Sequence, residues 1–120
     1  MSGTADITRM ETTERLSRAV KHGGLGYLSG ITAAEGGADI GSQTKKVLEK
    51  MDAFLAMGGT DKTRLLRVQI WLRDVERDVA GMNEVWNAWT PKGGAPARAC
   101  GESRLAGPAV LVEMIATAAA

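Results

Sequence analysis

PARACGESRLAGPAVLVEMIA, residues Pro96 to Ala116, is the stretch whose reading decides the fold. Its pattern predicts two strands joined by a short Gly-Pro loop, Ala106 to Ala109. Successive strand side chains face opposite sides, so Arg98, Cys100, Glu102 and Arg104 are expected on one face of the first strand. Ala97, Ala99, Gly101 and Ser103 take the other. The second strand is apolar on both faces. Val110, Val112, Met114 and Ala116 share one; Leu111 and Ile115 share the other with a lone acid, Glu113. A carboxylate there is costly unless it is hydrogen-bonded, paired or used. The predicted hairpin therefore carries a guanidinium, a thiol and an isolated acid in an apolar setting.

Working outward, Pro91 and Gly93-Gly94 separate this hairpin from a helix that starts at the N-cap Asp74. Val75, Val79, Met82, Trp86 and Trp89 form its apolar stripe and read as core. Before it, Leu65 to Leu72 alternates as a strand, with Leu66, Val68, Ile70 and Leu72 on the apolar face and Arg67, Gln69 and Trp71 opposite. A longer helix is predicted from about Asp39 to Met57, stopped by Gly58-Gly59. Its face is Ile40, Thr44, Val47, Leu48, Met51, Phe54 and Leu55. Gly30 to Ala38, rich in Gly, Ala and Thr, reads as a loop. Ser17 to Lys21 and Leu25 to Ser29 flank His22-Gly23-Gly24 as a hairpin, packing through Val20, Leu25 and Tyr27, and Asp6 to Met10 is a candidate edge strand.

The order strands, helix, strand, helix, two strands indicates an α+β fold. Two helices cover only one face of a sheet. A last strand apolar on both faces needs a cover on the second, and another copy of the chain is the economical one.

One hundred and twenty residues are expected to form one domain, 1–120, with a core large enough to fold without staples. Fifteen basic residues balance fourteen acidic ones, so no basic stripe marks a nucleic-acid partner. A single cysteine makes no internal disulfide and fits a reducing compartment. MSGTADITRM lacks the apolar core of a signal peptide, and no run approaches a membrane span. The expectation is a cytoplasmic protein with no membrane partner.

One histidine and one cysteine are too few for the usual metal ligand sets. Gly23-Gly24-Leu25-Gly26 lacks the Lys-Ser/Thr of a phosphate loop. His22 sits on a turn, where a solvated histidine is expected, and no nucleophile motif supports a serine triad. No cofactor is implied.

Pro96-Ala97-Arg98-Ala99-Cys100, then Glu102, Arg104-Leu105 and an apolar run closing on Glu113, resembles the C-terminal signature of the Rid family of reactive intermediate deaminases. This family is also called YjgF and carries the older label endoribonuclease L-PSP. The likeness runs from about Tyr27 onward. It implies a chorismate-mutase-like fold, a mixed sheet of about six strands with two helices on one face, assembled as a homotrimer with sites in the clefts between subunits. It also implies that Arg98 clamps the carboxylate of a small imino acid, as a planar, always-charged guanidinium can. Glu113 matches the acid that activates the attacking water, Ser29 the serine of the Ser-Gly motif, and Asn83 a helix-borne asparagine near the site. Cys100 matches a pocket-lining position, and its thiol is expected to act as a small buried hydrophobe.

Two departures stand out. Where better-known members carry a Pro-Tyr pair, this chain reads Arg15-Leu16-Ser17, and Ile31 replaces the glutamine that often follows Ser-Gly. The expected activity is hydrolysis of 2-imino or enamine acids, such as 2-aminoacrylate, to 2-keto acids and ammonia. The alternative is a non-catalytic protein that holds a small carboxylate in the same cleft; an endoribonuclease fits the composition least. In a symmetric hairpin Gly101 would lie opposite Glu113, and Arg98 and Glu113 would face opposite sides of the sheet. A one-residue shift brings them together, and a neighbouring subunit is the other possible source of one of them.

Overall fold

Asp39 and Asp74 start the two helices of this chain. In the computed structural model, which describes residues 6–120, Asp39 accepts from the Ser42 amide at 2.8 Å and Asp74 from the Arg77 amide at 3.1 Å. Each cap stabilises its helix by ~1 kcal/mol. Helix α1 spans Ile40–Met57 and α2 Val75–Trp89, as the periodicity predicts. Val47, Leu48, Met51 and Leu55 of α1 and Met82 and Trp86 of α2 are buried on one face of the sheet. The N-terminal stretch MSGTADITRM, expected to lack a signal-peptide core, lies partly outside the described residues.

The strands are β1 Thr8–Thr12, β2 Ser17–His22, β3 Leu25–Leu28, β4 Ile31–Thr32, β5 Leu65–Leu72, β6 Ala97–Glu102 and β7 Val112–Ala119. They form one mixed sheet in the order β1-β2-β3-β7-β5-β6, with β4 also paired to β7. The β2–β3 hairpin turns at Gly23 and Gly24, whose φ values of 61° and 79° suit glycine. The first strand lies two residues later than Asp6 to Met10. The segment from Gly30 to Ala38 is more than a loop: it contains β4 and a 3-10 turn at Ala34–Gly36.

The largest correction concerns the stretch quoted first. Strands β6 and β7 do not form a hairpin, because β5 lies between them. β6 runs parallel to β5, and β7 antiparallel on its other side. Val68, Ile70 and Leu72 of β5 are fully buried, and pairing on both edges satisfies the backbone of this central strand. The connection is correspondingly long, from Ser103 to Leu111, and crosses the end of β5. It is held by side chains with no periodic signature. Arg73 donates to the carbonyls of Val110 at 2.7 Å, Leu105 at 3.2 Å and Gly107. Buried Gln43 donates to Ala109 O at 2.8 Å and accepts from Leu111 N at 2.9 Å.

A smaller correction concerns Leu66. The pairing of β5 with β7 shifts between Leu65 and Arg67, so Leu65 is buried and Leu66 is 46 % exposed. Among the described residues nothing covers the face away from the helices. It presents Tyr27, 42 % exposed, and Ile115, 40 % exposed. Beside them the ring of Trp71 lies across Gly101, where a side chain would come within 3.0 Å of it. Among the described residues no helix is long and apolar enough to cross a membrane.

Candidate functional site

Strand register separates the two groups singled out by sequence. Arg98 pairs with Val68, which pairs with Ala116; Glu113 pairs with Trp71, which pairs with Gly101. Val68 and Trp71 are three residues apart on β5, so the two rows face opposite sides of the sheet. Arg98 belongs to the helix face and Glu113 to the open face. Within one chain they do not meet.

Arg98 sits on β6 and reaches up to α2. Its Nη1 donates to Asn83 Oδ1 at 2.8 Å and lies 3.9 Å from Met82 Sδ. The guanidinium carbon stands 5.4 Å from the centre of the Trp86 ring, a cation–π geometry. Asn83 and Trp86 are three residues apart on α2 and so share its face toward β6. None of the ion pairs among the described residues involves Arg98, and its side chain is exposed. It is a positioned cation with open valences toward solvent. The structure thus brings Arg98 and Asn83 together. It also adds Trp86, which the sequence reading kept as core: the ring is buried beneath the guanidinium. The i, i+3 spacing from Asn83 was the available signal.

Cys100 follows on the same face, opposite Ile70, and packs partly buried against the core. Burial pushes its thiol pKa up, and the nearby Arg98 charge pulls weakly the other way. A protonated, core-packed thiol is a packing group and a poor nucleophile.

Glu113 sits on β7 with Thr32 of β4 on one side and Trp71 of β5 on the other. Its carboxylate lies against the α-carbon of Gly30, where any side chain would run into Oε2. Glycine is required there by close approach. The described ion pairs do not include Glu113, and it is half-buried. Next to Gly30, Ser29 Oγ lies 3.4 Å from both the carbonyl and Nη1 of Arg18. Arg18 went unremarked in the sequence. The glycine turn fixes His22 opposite Leu25, and counting back places Arg18 opposite Ser29. Among the described residues no group of three or more His, Cys, Asp or Glu side chains could hold a metal ion.

The two clusters are a guanidinium with two hydrogen-bonding and stacking partners, and an acid beside a serine and a bare glycine. Known proteins share the fold that carries them. Residues 6–120 match the family model described as Endoribonuclease L-PSP. A RutC family protein of Haemophilus ducreyi is 37% identical over 113 residues, covering 94% of this chain and 96% of the relative. The RutC family protein YoaB of Escherichia coli K12 is 34% identical over 113 residues, covering 94% and 97%. Among solved structures, NMB1025 of Neisseria meningitidis, a member of the YjgF protein family, superposes with a TM-score of 0.93 at 46% identity, covering 97% of this chain and 96% of that one. Through this match along nearly its whole described length, the chain belongs to the YjgF/RutC family, also known as Rid.

Proposed function

We propose that the chain is an imine and enamine deaminase whose active site is assembled from two subunits, with Arg98 and Asn83 of one facing Glu113, Ser29 and Gly30 of the next. One observation carries this reading. The two groups singled out for the reaction, Arg98 and Glu113, lie on opposite faces of the sheet, each without a counter-charge among the described residues, so a site that uses both must draw on two copies. The bare open face, with Tyr27, Ile115 and Leu66 exposed, supports a homotrimer that covers it.

In this site Arg98 holds the carboxylate of a 2-imino acid through two parallel N–H donors. Asn83 and Trp86 keep the guanidinium in place. Glu113 takes a proton from a water as its oxygen attacks the imine carbon. The C=N π pair moves to nitrogen, which is protonated, and the resulting carbinolamine expels ammonia to leave the 2-keto acid. Imines hydrolyse unaided, so positioning and one proton-transfer group suffice. No cofactor is called for, and the chemistry suits an intracellular protein that removes reactive products of other enzymes.

Complementation is the decisive test. Arg98→Lys and Glu113→Gln are mixed by co-refolding and assayed at substrate well below KM, where each alone is strongly impaired. Random mixing should restore about one quarter of the parent rate, the fraction of interfaces that join two intact surfaces. No recovery in mixed oligomers would mean that one chain supplies both groups. Light scattering should give about 38 kDa for three chains of 12.7 kDa; a monomer at micromolar concentration would remove the composite site.

A further inference from the structure

Arg18 is a cation that the chain holds in place and leaves without a counter-charge. Its guanidinium stands over the Phe54 ring, 4.8 Å from the centre, and Nη1 reaches Ser29 Oγ at 3.4 Å. A guanidinium carries five N–H donors in a fixed fork. The long Ser29 contact uses one of them, and no ion pair among the described residues involves Arg18. The residue is half-buried, so water meets only part of the remaining demand.

Beside it opens a cleft of about 400 Å³ lined by Arg18, Gly30, Ile31, Thr32, Lys50 and Phe54, a volume that suits a small molecule. Lys50, the second cation of the lining, donates to Thr32 O at 2.8 Å and pairs with Glu35 at 2.5 Å. The hydrogen bond from Lys50 holds the Glu35 carboxyl below the usual carboxylate range, so this acid is already matched. Glu113 lies against Gly30 and is not among the residues that line the cleft. The lining thus carries two cations and no acid. One cation has its partner, and the other has none among the described residues.

We infer that this cleft is an oxyanion-binding site, distinct from the Arg98–Glu113 site, which takes the carboxylate or phosphate group of a small molecule on the Arg18 fork. Two parallel N–H donors match two oxygens of either group. Phe54 holds the guanidinium before the ligand arrives, and the Lys50 charge adds attraction across the cleft. The inference uses neither Arg98 nor Glu113, so it stands or falls apart from imine hydrolysis.

The test is a titration of the isotope-labelled protein with inorganic phosphate, methyl phosphate and acetate at low ionic strength, followed by amide NMR. Shifts should centre on Gly30, Thr32, Lys50 and Phe54. Arg18→Met keeps an apolar stem over Phe54 and should weaken the tightest of the three by about 10–100-fold, the range for hydrogen bonds to a charged group. Arg18→Lys retains the charge without the fork and should lie between. Methyl phosphate binding more tightly than inorganic phosphate identifies a phosphate ester as the ligand class; acetate matching or exceeding both identifies a carboxylate. Arg98→Lys should leave these affinities unchanged. An equal fall in Arg98→Lys would put the anion in the Arg98 site and overturn the assignment. So would shifts centred elsewhere, or the same affinity in Arg18→Met as in the parent. Absence of binding by all three anions rejects the site as well. If Arg18→Met then also lowers the melting temperature of the oligomer, the counter-charge of Arg18 is a carboxylate of a neighbouring subunit.

Discussion

The two faces of the sheet hold their functional groups in opposite ways. On the helix face, Arg98 is surrounded: Asn83 accepts from it, Trp86 lies beneath it and Met82 borders it. On the open face, Glu113 is given space. It lies against a glycine, Gly30, and no ion pair among the described residues engages it. A clamp gains from being fixed before its ligand arrives, because each frozen torsion is a cost already met. A base gains from lone pairs left free for a proton. In the proposed site the difference separates a group that holds from a group that reacts.

The sharpest way to break that contrast is Glu113→Gln. Glutamine is nearly isosteric and cannot take a proton from water. Turnover should fall by roughly 10²–10⁴-fold while binding of a stable 2-keto acid changes little. Unchanged turnover with a lowered melting temperature would make Glu113 a structural charge, paired across the subunit interface, and not the base.

Arg98→Lys comes second. Lysine keeps the charge but loses the fork and the stacking on Trp86, so kcat/KM should drop by about 10–100-fold. The drop should appear mainly in KM. Since Arg98 is exposed, the melting temperature should stay near that of the parent. Equal kinetics for the two proteins would remove the clamp.

How far this contrast could be read from sequence depended on the kind of signal. Both helices and the span of β5 were legible to within a residue or two because Asp39, Asp74 and Gly58 are local punctuation and the stripes between them are periodic. The pairing of β6 with β7 was misread. Neighbouring strands in sequence usually pair, and nothing local in Ser103 to Leu111 says that a third strand intervenes. What holds that connection is Arg73 and Gln43, distant polar side chains bonded to its backbone. Glu113 stood out because an acid breaks an apolar run. Its separation from Arg98 across the sheet was left open by sequence, and the β5 register decides it. Trp86 and Arg18 were passed over for a common reason: each has a bland packing role, and only three-dimensional contact reveals the charge beside it.

Asn83→Ala probes how much of the clamp is preparation. One hydrogen bond to a retained guanidinium contributes about 1 kcal/mol, so KM should rise roughly 3–10-fold with kcat near the parent value. Trp86 still supports the guanidinium in this variant. A loss as large as that of Arg98→Lys would mean that Asn83 touches the substrate itself.

The smallest effect is expected at Cys100, and it tests whether the helix face, which carries the Arg98 clamp, also holds a reacting group. Burial raises the thiol pKa above its ordinary value, with Arg98 opposing weakly. The native protein therefore keeps a proton that the unfolded chain releases in the window between the ordinary and the raised value. Stability from this source is fully present below the ordinary thiol pKa and falls as pH rises through the raised one. Cys100→Ala should flatten that alkaline decline in melting temperature, and a small apolar residue fits where a core-packed sulfur stood, at a cost of about 1 kcal/mol. Turnover should change by less than about threefold at neutral pH, because a protonated thiol beside Ile70 offers neither a nucleophile nor a base. A fall comparable to that of Glu113→Gln, together with rapid alkylation by iodoacetamide at pH 7, would place a reactive thiolate on the helix face. The division between a holding face and a reacting face would then fail.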